Sequence, residues 1–243
     1  MTVLTETLPE YVSPYIGSAE QRMSEIVLGS ALVTASAPIE GATSLLLRHV
    51  LDEGPVRFSQ KRTGGLEVDK LRTMHLLPHE APTQSVWESS GRQDPRIPTK
   101  WGLASLIRGT GADELPQLRQ VVRGAWYHEQ PRLHLVGLRP LIEMHADEMH
   151  DQIVDRGYTE LARRWRELHE VGPKGVVSPA ATYYKHRSSN TEIDPVMWAR
   201  MEYGYCVNAS ARIEQDMLVY TFGKVASSLT QRLLGRRMLL RPA

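Results

Sequence analysis

Hydrophobic and polar positions alternate with different periods along this chain, and these periods predict helices with a small amount of β-structure. Residues 22–51 are mostly apolar over the length of a long helix. Pro38 is expected to break that helix, because proline lacks the backbone N–H that a helix interior needs. Strict alternation over residues 56–60 predicts a strand, and residues 66–74 and 134–137 are expected to form two more.

The second half of the chain is predicted to be mainly helical, with helices over residues 114–122, 141–170, 195–205 and 211–222. Arg123 and Gly124 are expected to end the first of these helices, since glycine is a common helix stop. Gly172 and Pro173 are expected to open a loop that continues to Thr182.

The fold class that follows is α+β, a mostly helical single domain with a small β-element, preceded by the Pro-broken helix. The expected division is a loose lead over residues 1–20, the Pro-broken apolar helix over 21–54, the main domain over 55–224, and a basic amphipathic tail over 225–243.

Two segments could contact a membrane. Residues 26–47 are long enough to cross a bilayer, but they are rich in small residues and contain Pro38 and Glu40. They therefore predict either a helix packed on the domain or one that dips shallowly into one leaflet. Residues 224–241 combine cations with interleaved leucines and have no acidic residue, which suits an amphipathic helix on an anionic membrane or a packed helix with a solvated basic face.

Composition narrows the class of protein but not its chemistry. The chain has 243 residues, of which 41% are hydrophobic and 23% charged, as in soluble globular domains. A net charge of +1 gives no case for binding nucleic acid. Cys206 is the single cysteine, so no intrachain disulfide is expected, and its apolar neighbours indicate a small buried side chain. The first residues lack the basic and apolar regions of a signal peptide.

Candidate chemistry centres on Asp113 and Glu114, two adjacent carboxylates where a loop is predicted to become a helix. Pro116 belongs in the first turn of a helix, which puts Asp113 at or beside the N-cap. A helix N-terminus attracts anions and keeps a carboxylate ionised, so Asp113 could act as a nucleophile toward phosphorus. A capped surface helix explains the same residues, and both alternatives stay open on the local sequence.

Several common active-site patterns are absent from the sequence. It contains no G-x-x-x-x-G-K-[ST] loop, no dinucleotide fingerprint and no G-x-S-x-G elbow. His145 and His150 are five residues apart and do not share a helix face well, which disfavours a zinc site there. Basic side chains that could bind phosphate are spread along the chain, at Arg62, Lys70, Arg72, Arg96, Arg108 and Arg139.

Taken in order, several segments resemble the bacterial sugar transferases, the monotopic polyprenyl-phosphate phosphoglycosyl transferases. Residues 108–118, RGTGADELPQL, are similar to the most specific family segment, RkTSLDELPQL, and the Pro38 helix resembles the family's re-entrant membrane helix. Further similar segments are EGPVRFSQ at 53–60, KLRTM at 70–74, DPRI at 94–97, VVRG at 121–124, LVGLRP at 135–140 and EYGYCVNASARIEQDMLVYTF at 202–222.

The resemblance implies a reaction and a site. Asp113 would attack the β-phosphate of a UDP-sugar and release UMP, and undecaprenyl phosphate would then take the phosphosugar from the aspartyl intermediate. Glu114 would bind Mg²⁺, and Glu202, which matches a family aspartate, is a further possible site residue. The phosphates would be bound by Lys70, Arg72, Arg96, Arg108, Arg139, Pro140, Gln117 and Arg62. The implied setting is the cytoplasmic face of the cell membrane, at the initiating step of glycoconjugate or exopolysaccharide assembly.

The chain departs from the family pattern at several places, which include Gly111-Ala112 in place of Ser-Leu and an insertion between Gly124 and Leu135. Two further departures leave alternatives. The family's GPRP is Gly-Leu-Arg-Pro at residues 137–140, and its PGITG segment is reduced in residues 172–178. Together with the weakly hydrophobic helix, these departures leave open the same chemistry on a water-soluble acceptor, with a soluble cytoplasmic location. They also leave open a non-catalytic paralogue that binds nucleotide sugars.

Overall fold

A computed structural model describes residues 8–50, 55–73, 107, 111–185 and 193–239 of the chain. Its helices are α1 (Ala19–Val50), α2 (Pro116–Tyr127), α3 (Glu143–Asp155), α4 (Thr159–Val171), α5 (Pro179–Lys185), α6 (Pro195–Asn208) and α7 (Ala211–Leu239). Its strands are β1 (Arg57–Lys61), β2 (Glu67–Leu71), β3 (Leu133–Val136) and β4 (Lys174–Val177). The predicted class, α+β and mostly helical with a small β-element, is confirmed.

The strands form two small sheets. β1 and β2 pair antiparallel, with Phe58 opposite Lys70. β3 and β4 pair in parallel, with His134 opposite Gly175. The three strands predicted from alternation are confirmed to within a few residues. β4 lies in the stretch that was predicted to be a loop, because a short strand buried on both faces shows no alternation.

Helix α1 runs through Pro38, so the break expected at this proline is not observed. Pro38 lies on the exposed side of α1. Glu25 before it and Leu47 after it are both buried against the rest of the chain. Contacts with the body therefore hold both halves in one helix, although the proline removes a backbone hydrogen bond.

Helix α2 continues beyond Gly124, which was expected to end it. The helix ends instead at His128, which adopts a left-handed conformation with φ 56°. A Cβ atom on Gly124 would lie 3.0 Å from the Cβ of Arg132. Glycine at this position therefore permits the close approach of α2 to the chain leading into β3, rather than terminating the helix.

The predicted helix over residues 141–170 is two helices, α3 and α4. Gly157 lies between them with a φ of +84°, which favours glycine and reverses the chain. The predicted loop from Gly172 to Thr182 contains both β4 and the start of α5. At the other end of the chain, α7 extends past the predicted limit at Phe222 to Leu239.

In the described part of the chain, two large clusters of buried apolar side chains form most of the core, beside a small one of Leu47, Leu71 and Ile107. The first surrounds β3 and joins it to β2, α2, α4 and α6, through side chains that include Val68, Leu118, Val121, Leu135, Leu168 and Tyr205. The second fills the space between α3, α4 and α6, with Met149, Ile153, Trp165, Val196 and Trp198. The first cluster brings the β1–β2 hairpin, the start of α2 and the end of β3 together, and several of the predicted site residues lie on these three elements.

Candidate functional site

The acidic pair lies just before α2, in a 3₁₀ turn formed by Ala112–Glu114. Gly111 precedes the turn with a φ of +76°, and the helix N-cap is Leu115, with Pro116 at the first helical position. The prediction that Asp113 lies at or beside the N-cap is therefore wrong. Pro116 is in the first turn as predicted, but it is the first helical residue, so the carboxylates lie one short turn ahead of the helix.

Glu114 contacts cations from two other elements. Its Oε1 lies 2.8 Å from the Nζ of Lys70 on β2, and 4.0 Å from an Nη of Arg139, which follows β3. The side chain of Glu114 is 22% exposed and that of Lys70 is 16% exposed. The structure thus converges two predicted phosphate-binding cations on the predicted metal ligand, at a site that solvent reaches.

Arg62 contributes a third positive charge. It follows β1, and its guanidinium donates to the Oε1 of Gln60. Burial, together with the nearby charge of Arg139, lowers the pKa of Arg62 to about 10, against the opposing effect of Glu114. Arg62 therefore stays charged near neutral pH, so three cations act on a site with two carboxylates, Asp113 and Glu114. The remaining positive charge suits an anionic ligand.

Arg72 and Gln117, which were predicted to bind phosphate, are both buried. Arg72 follows β2 and is 3% exposed, while its backbone N–H donates to the carbonyl of Val56 over 2.7 Å. Gln117, in the first turn of α2, is 2% exposed. Within the described part of the chain, the Nε2 of Gln117 has no hydrogen-bond partner. Arg96 and Arg108 lie outside the described residues.

The Gly-Leu-Arg-Pro segment that carries Arg139 is held tightly against β4. A Cβ atom on Gly137 would lie 2.5 Å from the carbonyl oxygen of Pro173, so only glycine fits there. The N–H of Leu138 donates to that same oxygen over 2.7 Å. Leucine in place of the family's proline therefore supplies a backbone hydrogen bond that proline could not make. Pro140, half-buried, fixes the backbone immediately after Arg139.

Glu202 on α6 lies behind this segment, fully buried. Its Oε1 accepts from the backbone N–H of Arg139 at 2.9 Å and from the Oγ of Ser178 at 3.2 Å. Its Oε2 accepts from the indole N–H of Trp165 at 2.8 Å and lies 3.0 Å from the Nε2 of His169. Glu202, named from the sequence as a possible site residue, thus contacts the backbone of a candidate phosphate-binding residue rather than the open site.

Hydrogen bonding decides the charge of this buried group. Burial by itself raises the pKa of the Glu202 carboxyl, but hydrogen bonds from His169, Arg139 and Trp165 hold that pKa below its ordinary value. Burial lowers the pKa of His169, against the opposing effect of Glu202. A neutral imidazole that donates from Nε2 to an ionised carboxylate follows from these directions.

Sequence reasoning missed Trp165, His169 and Ser178. They lie on α4 and after β4, between 24 and 37 residues from Glu202 along the chain. Their contact depends on how three separate elements pack, so no spacing rule could have found them. A weak signal was available, because Trp165 and His169 are four residues apart and share one face of α4.

Asp113 and Glu114 carry carboxylates of the kind that bind a magnesium ion, whose other ligands would come from the phosphates of a substrate and from water. Mg²⁺ usually binds proteins through one or two carboxylates and takes its other ligands from phosphates and water. Asp113 and Glu114 offer two adjacent carboxylates of that kind. In the described part of the chain, no group of three or more His, Cys, Asp and Glu side chains could hold a metal ion by itself.

A family model described as bacterial sugar transferase matches residues 17–228. The UDP-glucose:undecaprenyl-phosphate glucose-1-phosphate transferase of Escherichia coli (strain K12) is 31% identical over 146 residues, which are 56% of this chain and 30% of that protein. The exopolysaccharide production protein PSS of Rhizobium leguminosarum bv. phaseoli is 34% identical over 154 residues, which are 59% of this chain and 72% of that protein.

A third relative is the UDP-glucose:undecaprenyl-phosphate glucose-1-phosphate transferase of Caulobacter vibrioides (strain ATCC 19089 / CIP 103742 / CB 15). It is 33% identical over 132 residues, which are 52% of this chain and 43% of that protein. The match therefore spans less than half the length of the two proteins named as glucose-1-phosphate transferases.

Proposed function

This chain belongs to the bacterial sugar transferase family, and on that basis we propose that it transfers a sugar phosphate from a UDP-sugar to a polyprenyl phosphate. The observation that carries the proposal is the placement of Lys70 and Arg139 around Glu114, directly beside Asp113. Two relatives have names that specify UDP-glucose and undecaprenyl phosphate. A site with excess positive charge next to paired carboxylates suits a diphosphate donor.

The proposed chemistry has two steps and uses Asp113 as the nucleophile. A carboxylate oxygen of Asp113 forms a bond to the β-phosphorus of the UDP-sugar, and the bridging P–O bond breaks, so UMP leaves with the bonding electrons. An oxygen of the acceptor phosphate then forms a bond to the same phosphorus. The aspartyl P–O bond breaks, and Asp113 returns to its free carboxylate.

The cations have complementary parts in this scheme. Lys70, Arg62 and Arg139 neutralise charge on the diphosphate oxygens as the leaving phosphate develops negative charge. Glu114 and Asp113 would also hold Mg²⁺, which when bound supplies further neutralisation of the diphosphate. The Nζ of Lys70 lies 2.8 Å from the Oε1 of Glu114, and this pairing orients the carboxylate toward the same side as Arg139.

The outer face of α1 supports a membrane-bound acceptor. Ala19–His49 is long and apolar enough to cross a membrane by length and composition, and 17% of its apolar stretch is buried. Met23, Val27 and Leu45 are more than half exposed, whereas Glu25 and Glu40 point inward. Between Met23 and Leu46, the charged side chains of α1 lie inside and large apolar side chains lie outside. This arrangement favours contact with lipid over water, and hence a lipid-linked acceptor over a soluble one.

The experiment that tests the proposal measures UMP release from UDP-sugars with Mg²⁺ and undecaprenyl phosphate. We expect Asp113→Asn to lower the rate by at least about 10³-fold, because the amide is a poor nucleophile. Asp151→Asn serves as the matched control, since Asp151 is an exposed aspartate on α3. It should leave the rate unchanged.

A second measurement examines the intermediate directly. Without acceptor, the intact mass of the wild-type protein should increase by one sugar phosphate, while that of Asp113→Asn should not. Equal UMP release by the wild type and Asp113→Asn would contradict the nucleophile. A wild-type protein that binds UDP-sugar without releasing UMP would favour the non-catalytic alternative.

A further inference from the structure

The segment that presents Arg139 is fixed by three consecutive backbone N–H groups. The N–H of Gly137 donates to the carbonyl of Val177 over 3.0 Å, and that of Leu138 donates to the carbonyl of Pro173 over 2.7 Å. The third, from Arg139 itself, donates to Glu202. The first two acceptors belong to the backbone around β4, whereas the third is a side chain.

Glu202 is oriented from both of its oxygens. Ser178 shares Oε1 with the Arg139 N–H, while Trp165 and His169 contact Oε2. All three partners are at most 2% exposed, so they lie in packed surroundings that restrict their movement. The carboxylate therefore has four hydrogen-bonding partners and a fixed direction toward Arg139.

Pro140 also restricts the backbone of Arg139. A residue that precedes proline is restricted to extended backbone conformations. With its N–H held by Glu202 and its backbone restricted by Pro140, Arg139 leaves the main chain in a set direction. From this fixed backbone, the side chain of Arg139 reaches a position in which an Nη lies 4.0 Å from Oε1 of Glu114.

We propose that Glu202, oriented by Trp165, His169 and Ser178, is a positioning residue that holds Arg139 toward the acidic pair for the proposed phosphosugar transfer. The expected effect of Glu202 on the rate of transfer rests on the proposed function. The contact between Glu202 and the backbone N–H of Arg139 does not. Glu202 does not touch the substrate. Its effect on the rate passes through Arg139.

A double-mutant cycle distinguishes positioning from general stabilisation. We expect Arg139→Ala to lower the rate of UMP release by about 100-fold and Glu202→Gln to lower it by about tenfold. In the Arg139→Ala background, Glu202→Gln should have no further effect, because the guanidinium that it positions is gone. Independent, multiplying effects of the two substitutions would overturn the proposal.

The matched control is Glu214→Gln, the same substitution at another buried carboxylate. Glu214 is 3% exposed and bonds to Gln21, Tyr15 and Tyr205 rather than to the Arg139 segment. It should leave the rate unchanged. A similar loss of rate in Glu202→Gln and Glu214→Gln would show that replacing any buried carboxylate slows the reaction. That result would also overturn the proposal.

Amide hydrogen exchange at Arg139 provides a readout that does not depend on catalysis. We expect Glu202→Gln to accelerate exchange at this amide by about tenfold, whereas Glu214→Gln should not change it. An inactive wild type with this exchange pattern would refute the proposed function and still support the positioning contact. Unchanged exchange in Glu202→Gln would overturn the inference whatever the activity.

A milder variant covers the case in which Glu202→Gln does not fold. Ser178→Ala removes one donor to Oε1 and only a single oxygen atom from the core. It should accelerate Arg139 exchange by about two- to fivefold. Faster exchange supports positioning, and exchange equal to that of the wild type contradicts it.

Discussion

Helices α1 and α4 place their carboxylates on opposite sides. Helix α4 turns Trp165 and Leu168 into the core and exposes charged residues such as Glu160 and Arg163. Helix α1 also buries apolar side chains such as Leu47, but Glu25 and Glu40 face the body, and the outward side from Met23 to Leu46 carries no charged residue. The exposed surface of α4 is therefore suited to contact with water, whereas the outer side of α1 is suited to an apolar environment.

The inward charges of α1 are both paired. Glu25 contacts Arg132 and lies 2.8 Å from the Nδ1 of His134, close to β3. Glu40 contacts Arg57 of β1 and lies 3.0 Å from Arg119 of α2. Burying a carboxylate without partners is costly, so these pairs make the inverted arrangement tolerable and attach α1 to the elements that carry the candidate site.

Among substitutions of the inward charges of α1, Glu25→Gln is expected to destabilise the protein most. Arg132 is 2% exposed at its side chain, so removing the carboxylate leaves a buried guanidinium without its counter-charge. We expect the free energy of unfolding to fall by about 3–5 kcal/mol. Denaturant unfolding in a mild detergent measures it.

The control for this variant is Glu160→Gln on α4, where the carboxylate is exposed and pairs with two arginines on the surface. It should cause no measurable change in stability, because exposed ion pairs contribute little. An equal loss in both variants would mean that the inward charges of α1 have no special part in its attachment.

The sequence anticipated the composition of α1 but not which side would face inward. It located the apolar stretch, Pro38 and Glu40, and it left packing and shallow insertion as alternatives. It could not show that Glu40 meets Arg57 and Arg119, because those contacts join three elements separated in the chain. The same limit applied to Pro38, since propensity predicts a break and tertiary contacts override it.

The next effect concerns the outer side of α1. Val27 is 61% exposed, and Val27→Lys would place a charge where we propose lipid contact. Transfer of a lysine into a bilayer costs about 3 kcal/mol, so membrane affinity should fall by up to about 100-fold. Sedimentation with vesicles of defined lipid composition measures this partition.

Met144→Lys on α3 is the matched control for that substitution. Met144 is 42% exposed, so it is also an apolar side chain at the surface, but it lies on a helix with charged neighbours. It should leave vesicle binding unchanged. Equal partition of Val27→Lys and the wild type would show that this part of α1 does not contact lipid.

A smaller effect is expected from Glu40→Gln. Its two partners, Arg57 and Arg119, have side chains that are 51% and 47% exposed, so water can solvate them when the carboxylate is removed. We expect a loss of about 1 kcal/mol in the free energy of unfolding, well below that of Glu25→Gln. Thermal unfolding of the two variants side by side would reveal the opposite order if Glu40 were the stronger attachment.

The candidate site shows what sequence can supply and what it cannot. Asp113, Glu114, Lys70 and Arg139 were predicted from a resemblance in segment order, and the structure brings Lys70 and Arg139 to Glu114. Local pattern gave the wrong helix position for Asp113, because a 3₁₀ turn leaves no periodic signal in three residues. The partners of Glu202 had only a weak local signal, the four-residue spacing of Trp165 and His169 on α4.

The smallest expected change in stability, and the only one that is a gain, comes from Glu214→Gln. Glu214 forms the third polar contact between α1 and the body, through Gln21. Gln21 donates to Glu214 at 2.8 Å, and burial raises the pKa of the Glu214 carboxyl above its ordinary value, partly offset by hydrogen bonds from Tyr205, Gln21 and Tyr15. The folded state then binds a proton more tightly than the unfolded state, so this group's contribution to stability falls as pH rises through the folded pKa.

Glu214→Gln removes that titration and keeps an oxygen for Gln21 to donate to. Relative to the wild type, the variant should therefore gain stability as pH rises above the ordinary glutamate pKa of 4.5, and the gain should level off above the folded pKa. Urea unfolding of both proteins as a function of pH measures the difference. A difference that does not vary with pH would mean that Glu214 titrates alike in both states, and the polar interior behind α1 would then hold a charge as readily as water does.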